Sequence, residues 1–528
     1  MSGTTPALWQ LIRSMNRNEK LFFNKQCTEG VARAPLYKKL YDAIATQKIY
    51  DEEELLTTLA PEINKKNIAY QKHYLHTQLN DCLVNYNNRD NAEQEIYRNI
   101  QLIRMNRKKG LYSEALSLWE KTMKQARKAE LFAMSQLLKR EFEKMILFSS
   151  LQVKYDELHA QFNSNIMTYE DYAEMITLRD LYTAIIMLKR KAHFDFDEDL
   201  KNEIDELRSQ LKNRKPGFQS PSFWYRHYSR MCQATLDFLS GEITHSLTLI
   251  REAVSDWWSH RHFIISDAEH YIELLYMVNY AGVQHGSYEY VETVFNEPVN
   301  ELITDEVQAA HFEAVKYLAL NKVYNKTARY GDVAKLVDNM KGKYAQWELL
   351  VNPELNRTLC FSLGISYFVL DNYTESLQFI KRGVTYFKDG TREEQFIFAN
   401  LFLLLILFNM NNTKLFDAQY KSTYAYFYKR SKPTRAGAKR QQQPFERTLM
   451  HCFHDTFYLS SYKEKSATFQ KAVVELEANA DNEVLKQILG IFNFRGWLLS
   501  QIQRISYRQY VQQKFSNDSK LVKTAGST

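Results

Sequence analysis

Residues 360–383 read CFSLGISYFVLDNYTESLQFIKRG, and their spacing predicts two helices joined by a tight turn. Leu359, Leu363, Tyr367 and Leu370 recur at helical intervals, with small Gly364 and Ser366 between them where a second helix can approach closely. Leu377, Ile380, Val384 and Phe387 form the matching stripe of the second helix. Asp371 and Asn372 supply polar turn chemistry, and Glu375 places a carboxylate near the positive end of the helix that Tyr373 opens. The stretch reads as an antiparallel helical hairpin with one wet face.

The same turn recurs at Gly110, Tyr112, Glu114, Ala115, Leu116 and Trp119, at Gly241, Ile243, Ser246, Leu247 and Ile250, and at Gly286, Tyr288, Val291 and Phe295. With Gly110, Gly241, Gly286 and Asp371 as equivalent turn positions, the separations are 131, 45 and 85 residues, close to three, one and two units of about 43. Weaker copies fall near Tyr155, Gly331, Phe416 and Tyr462. Leu363, Gly364, Tyr367, Tyr373, Glu375, Ser376 and Leu377 stand at the spacing of the tetratricopeptide repeat, which the segment resembles, without the proline that usually ends that repeat. The resemblance implies stacked helix pairs, here with longer helices or loops than the ordinary repeat. The expected fold is an all-α solenoid of degenerate tetratricopeptide-like hairpins.

Composition agrees. Gly is 16 and Pro 9 of 528 residues, and because both interrupt helices, their scarcity favours long ones. No segment alternates as a strand does. In a solenoid each unit buries its apolar face against its neighbours, so one body can be long. The 34 tyrosines and 31 phenylalanines read as packing between helices, with an aromatic groove for a peptide or a base as the alternative.

Cys27, Cys82, Cys232, Cys360 and Cys452 are scattered and odd in number, which fits neither a disulfide framework nor a paired metal signature and points to a reduced, cytoplasmic protein. The N-terminus has no apolar core after a basic start. The run Phe396–Phe408 is interrupted by Asn400 and is too short to span a bilayer, so it reads as a helix buried on most sides. No membrane partner is expected.

Residues 1–90 read as a separate helical module. Leu8, Leu11 and Ile12 form one apolar face, Leu21, Phe22 and Phe23 a second, and Leu36, Tyr37, Leu40, Tyr41 and Ile44 a third. Asp51, with Glu54 three residues on, has the spacing of a capped helix through Leu55, Leu56 and Leu59. After Pro61 and Asn64 a longer helix carries Tyr70, Tyr74, Leu75, Leu79, Leu83 and Tyr86, with Lys65, Lys66, Lys72 and His73 near its start. The module reads as the cap of the solenoid; the alternative is a DNA-binding helix-turn-helix, which also sets basic and polar residues at the start of its second helix. The stretches LWQLIRSMNRNEKLFF, LYKKLYDAI and IYDEEELL loosely resemble the start of bacterial helical-repeat proteins for which no activity is established.

Residues 91–215 and 216–515 are expected to hold two groups of repeats, and 516–528 a polar tail. Lys212, Arg214, Lys215, Pro216, Gly217 and Pro221 mark a change of direction between the groups. Residues 429–444, KRSKPTRAGAKRQQQP, hold Lys429, Arg430, Lys432, Arg435, Lys439 and Arg440 and no acidic residue. They form a candidate polyanion-binding loop, although the loop lacks interleaved aromatics for base stacking. The net charge of +7, from 69 basic and 62 acidic side chains, is modest, and a solvated loop is the simpler reading.

Chemistry is sparse. His451 and His454, three apart beside Cys452 and Asp455, His73 and His76, and His260, His262 and His270 around Asp256 and Asp267 are the clusters present. None has the full ligand set of a metal site, and no phosphate loop, dinucleotide fingerprint or nucleophile elbow occurs. No catalytic, cofactor-binding or metal residue is assigned. The expected function is a non-catalytic scaffold or adaptor that binds a peptide or protein along the exposed first helices of its units. The alternative is a DNA-binding regulator with an N-terminal helix-turn-helix and a repeat-based sensor.

Overall fold

Asp371 takes left-handed backbone, with φ of 62°, in the computed structural model of the chain, which describes residues 7–28, 35–47, 50–87, 92–148, 169–192, 198–212, 222–348, 350–387, 393–430 and 444–525. Asn372 donates its N–H to the Tyr367 carbonyl at 2.8 Å and Asp371 donates to Phe368 at 3.0 Å, the paired bonds that close a helix when the residue after its cap turns left-handed. The same two bonds and a φ of 51–81° recur at Gly110, Glu130, Gly241, Gly286, Ala328, Asn411 and Arg504. The four turns expected to be equivalent are equivalent. Four more are made by residues other than glycine.

The chain is all-α, and its described residues form 26 α-helices. They divide between two compact units, residues 1–281 with 298–309, and residues 282–297 with 310–528. The first unit begins with α1 (Ala7–Ser14), α2 (Arg17–Thr28), α3 (Leu36–Thr46), α4 (Glu52–Thr58) and α5 (Ile68–Asn87). Leu8, Ile12, Phe23, Leu40, Tyr41, Ile44, Leu55, Leu75 and Leu79 close one core among them. Leu21, expected in the second apolar face, is exposed, whereas Phe23 is buried. Asp51 caps α4 by accepting from the N–H groups of Glu53 and Glu54.

Three helices follow, α6 (Ala92–Lys108), α7 (Tyr112–Lys128) and α8 (Phe132–Phe148). The turns at Gly110 and Glu130 lie only 20 residues apart, so this part does not follow the longer period. Ile96, Ile100, Trp119, Leu138 and Phe142 form its core, and the Trp119 indole donates to the Leu138 carbonyl at 2.7 Å. Then come α9 (Tyr169–Ala192), α10 (Glu198–Lys212), α11 (Phe223–Leu239), α12 (Ile243–Ser259), the short α13 (His262–Ser266) and α14 (Ala268–His285). The expected change of direction at 213–221 and the weak copy at Tyr155 lie outside the described residues.

The second unit continues with α15 (Tyr288–Asn296), α16 (Glu306–Lys326), α17 (Tyr330–Trp347), α18 (Pro353–Val369), α19 (Tyr373–Val384), α20 (Glu393–Asn409), α21 (Thr413–Arg430), α22 (Pro444–Tyr458) and α23 (Tyr462–Ala478). Its turns at Gly286, Ala328, Asp371 and Asn411 are 42, 43 and 40 residues apart, which is the solenoid period. Gly331 and Phe416 fall in the first turns of α17 and α21, and Tyr462 opens α23. The fifth residue after each of these four turns, Val291, Val333, Ser376 or Phe416, is fully buried; Val291 lies against Gly282 and Ser376 against Gly364 of the preceding helix, while Phe416 stacks on Phe457 of α22.

The chain closes with α24 (Glu483–Ile491), α25 (Phe494–Ile502) and α26 (Tyr507–Ala525). Most of the stretch 516–528 thus continues as helix. From Ile397 to Leu407 every apolar side chain of α20 is buried, and Asn400 uses its amide on the Phe396 carbonyl and Gln419. No described helix is long and apolar enough to cross a membrane.

Candidate functional site

The candidate residues of the N-terminal module stand on a surface of mixed sign. Lys65 and Lys66 are exposed in the turn before α5, and His73 is exposed on its first turns. Lys72 is tied to Glu52 and lies 5.2 Å over the Tyr50 ring. Its hydrogen bond holds the Glu52 carboxyl below its ordinary value. Glu52, Glu53 and Glu54 are all exposed on α4, so acidic side chains border the basic ones. Of the basic segment, Lys429 and Arg430 end α21, their side chains and the residues Lys432, Arg435, Lys439 and Arg440 lying outside the described residues.

The histidine clusters separate into individual partnerships. His76 meets Asn80 at 3.2 Å. His260 Nδ1 lies 3.2 Å from Asp256, and His270 Nδ1 2.9 Å from Asp267. Asp256 also accepts from Arg226 and Arg230 at 2.7 Å each. Burial alone raises its pKa, but these hydrogen bonds hold it below the usual carboxylate range. His262 packs on Phe263 with ring centroids 4.2 Å apart. On α22, His454 stacks on Tyr420 at 4.3 Å and His451 Nδ1 lies 3.4 Å from the Tyr420 hydroxyl.

A grouping that sequence reading missed is Asp237, Glu242 and His245, whose ligand-type atoms converge within 4.8 Å. A cation already serves it. Arg208 Nη2 lies 3.2 Å from Asp237 and 3.3 Å from Glu242, and Gln233 donates to Asp237 at 2.7 Å, so the group reads as an ion-pair cluster. Arg208 comes from α10, and no local spacing announces it.

Within the second unit, polar side chains fasten one first helix to the next. Asn321 of α16 donates to Ser362 Oγ of α18 at 2.7 Å and accepts from Ser366 Oγ at 2.9 Å, while Asn325 donates to the Asn321 side chain at 3.0 Å. Arg357 of α18 donates to Gln395 of α20 at 3.0 Å, and its guanidinium covers the Phe387 ring at 4.8 Å. Buried polar groups that satisfy one another in this way fix a single register between repeats.

The first helices do not present the open row of side chains that the repeat pattern suggested. Phe492 packs on Phe368 and Phe402 at 5.5 and 4.9 Å, and Phe494 on Phe398 and Phe402 at 6.2 and 6.3 Å. The C-terminal segment thereby covers α18 and α20, which are apolar on too many sides to face water. Second helices carry exposed positions along their length, among them Lys335 and Asp338 of α17 and Gln378 and Lys381 of α19.

Neither a protein-family model nor a curated protein matches the chain. Two crystal structures of Rap proteins are similar at a TM-score of 0.39. The apo form of RapI is 15% identical over 78% of this chain and 98% of that one. A Rap protein complexed with competence and sporulation factor is 10% identical over 81% of this chain and 99% of that one. At these values the similarity assigns neither a family nor a function.

Proposed function

We propose that the chain is a non-catalytic, cytoplasmic interaction scaffold, an adaptor that holds a peptide or protein partner on the helical-repeat surface of its second unit. The observation that supports this reading is the run of turns at Gly286, Ala328, Asp371 and Asn411, spaced 42, 43 and 40 residues, with Asn321 and Arg357 joining successive first helices. Stacked repeats held in one register offer side chains from a fixed frame, so a partner binds without ordering the receptor. With α18 and α20 covered, the docking positions are the exposed side chains of α17 and α19, such as Lys335, Asp338, Gln378 and Lys381.

The test is capture of a partner by the full chain from an extract of the cells that make it, followed by rebinding of that partner in purified form. The expected result is saturable binding whose hydrogen-exchange footprint falls on α17 and α19. A chain that rebinds no protein or peptide, but turns over a small molecule, would overturn the scaffold reading.

A further inference from the structure

Helix α6 keeps Ile96, Ile100 and Ile103 in the core it shares with α7 and α8. Its other side carries a row of exposed residues. Tyr97, Gln101, Met105 and Lys108 follow one another at intervals of four, four and three, which places them on one helix face. Tyr97 and Met105 are each 42% exposed, and Gln101 and Lys108 are exposed between and beyond them. Gln101, Arg104, Met105, Lys108 and Lys109 line a shallow depression there.

Beside the row stands an excess of cations. Arg104, Arg107 and Lys144 of α8 surround a single carboxylate, the buried Glu141, at 2.9, 3.7 and 3.3 Å. It balances one of the three, and Arg104 and Lys144 keep 41% and 34% of their side chains in water. Lys108 and Lys109 follow at the end of α6, both exposed, and pair with no carboxylate of the described residues. Five cations thus gather around one acid. Glu143, two residues beyond Glu141, is turned about 200° from it around α8, and Glu114 opens α7 on the far side of the Gly110 turn. The helix dipole explains basic side chains in a last turn, but not why Tyr97 and Met105 stay in water on the same face.

We infer that this face of α6 binds an acidic amphipathic helix of a partner protein, its carboxylates meeting Arg104, Lys108, Lys109 and Lys144 and its apolar side chains meeting Tyr97 and Met105. Charge complementarity selects the occupant: Glu141 shows that these cations accept a carboxylate, and it leaves the set positive. The row from Tyr97 to Lys108 is about 17 Å long, three turns of a partner helix whose anchors recur at the same intervals. Methionine adapts its shape to the apolar side chain it meets. Nucleic acid would use the cations but not Met105, and Tyr97 alone is too little ring surface for successive stacked bases. The site lies in the first unit and stands independently of the α17 and α19 surface.

The experiment is fluorescence anisotropy of the full chain with a labelled helical peptide of about 18 residues that carries glutamate and leucine on one face and alanine elsewhere. Alongside it run the same peptide with glutamine for glutamate, the same peptide with serine for leucine, a DNA duplex, and phosphatidylserine vesicles. The glutamate and leucine peptide is expected to bind, less tightly as salt rises from about 50 to 200 mM, and each substituted peptide about tenfold or more weaker. Lys108→Glu/Lys109→Glu and Tyr97→Ser/Met105→Ser are each expected to weaken binding about tenfold or more. Lys335→Gln/Lys381→Gln, on the α17 and α19 surface, should leave it unchanged. Failure of the glutamate and leucine peptide to bind at the lowest salt overturns the proposal. So does unchanged affinity in either α6 double variant, equal binding of the glutamine peptide, loss of binding in the α17 and α19 variant, or tighter binding of duplex or vesicles. If the charge-reversal variant does not fold, unchanged affinity in Lys108→Gln/Lys109→Gln is the overturning result.

Discussion

Ser376 Oγ donates a 2.7 Å hydrogen bond to the backbone carbonyl of Gly364, joining the second helix of a repeat to the first where the two come closest. Ser246 makes the same 2.7 Å bond to Ala234, at the same place relative to its own turn at Gly241. A small residue on the first helix and a hydroxyl on the second let the backbones approach and satisfy a buried oxygen at the contact. A β-carbon on Gly364 would meet Cδ1 and Cγ1 of Ile380 at 2.6 Å and the Ser376 carbonyl oxygen at 3.3 Å, and Ile380 is fully buried. Gly364→Ala should therefore lower stability by about 1–2 kcal/mol in urea unfolding, overpacking outweighing the better helix propensity of alanine. Ser376→Ala should cost about 1 kcal/mol. An unchanged or higher midpoint for Gly364→Ala would show that Ile380 repacks freely.

The left-handed turns make an opposed pair of predictions. Ala328 holds φ at 54° and Gly286 at 81°, and a left-handed residue with a β-carbon costs about 1–2 kcal/mol. Ala328→Gly should raise stability by about 0.5–1 kcal/mol after the added freedom of the unfolded chain is subtracted. Gly286→Ala should lower it by about 1 kcal/mol. Thermal melts of the two variants should move in opposite directions, and a shared direction would mean that the strain is relieved elsewhere.

His227 gives the first unit a pH dependence. The Trp257 indole N–H donates to His227 Nδ1 at 3.1 Å, so the ring is neutral with its proton on Nε2. Burial, reinforced by His270, lowers its pKa from 6.5 to about 3. The unfolded chain takes up the proton near pH 6.5 and the folded chain does not, so stability present above 6.5 is lost as pH falls toward 3. The slope approaches about 1.4 kcal/mol per pH unit. His227→Gln, whose amide oxygen can accept from Trp257, should flatten the melting temperature between pH 6.5 and about 4.5. A slope equal to that of wild type would assign the effect to another group.

Glu141 acts at lower pH. Its buried carboxylate lies 2.9 Å from Arg104, 3.3 Å from Lys144 and 3.7 Å from Arg107. Burial by itself raises the pKa, but the hydrogen bonds and charge of Arg104 and Lys144 bring it below the ordinary 4.5. Stability from this group is complete above 4.5 and is lost as pH falls through the folded value. Glu141→Gln should cost about 1–3 kcal/mol at neutral pH, the cations remaining partly open to water. Its deficit should shrink on acidification, which urea titrations at neutral and acid pH can follow.

The sequence by itself determined the helical hairpin at 360–383 and its equivalents at Gly110, Gly241 and Gly286. Each depends on short-range signals: a stripe at helical spacing, a residue that tolerates left-handed backbone, and a polar side chain at the next helix start. The cap at Asp51 and the buried run in α20 were legible for the same reason. The turns at Glu130 and Arg504 were decided by tertiary structure. Glutamate and arginine carry no left-handed preference, and the packing of the flanking helices holds them there. The covering of Phe402 by Phe492 and Phe494, the bond from Asn321 to Ser362, and the meeting of Tyr420 with His451 and His454 are equally absent from local pattern. Each joins residues of different helices, and which faces meet depends on how the repeats stack. Local spacing therefore specified the units, while stacking decided that the first helices are covered and that Tyr420 of α21 meets the histidines of α22.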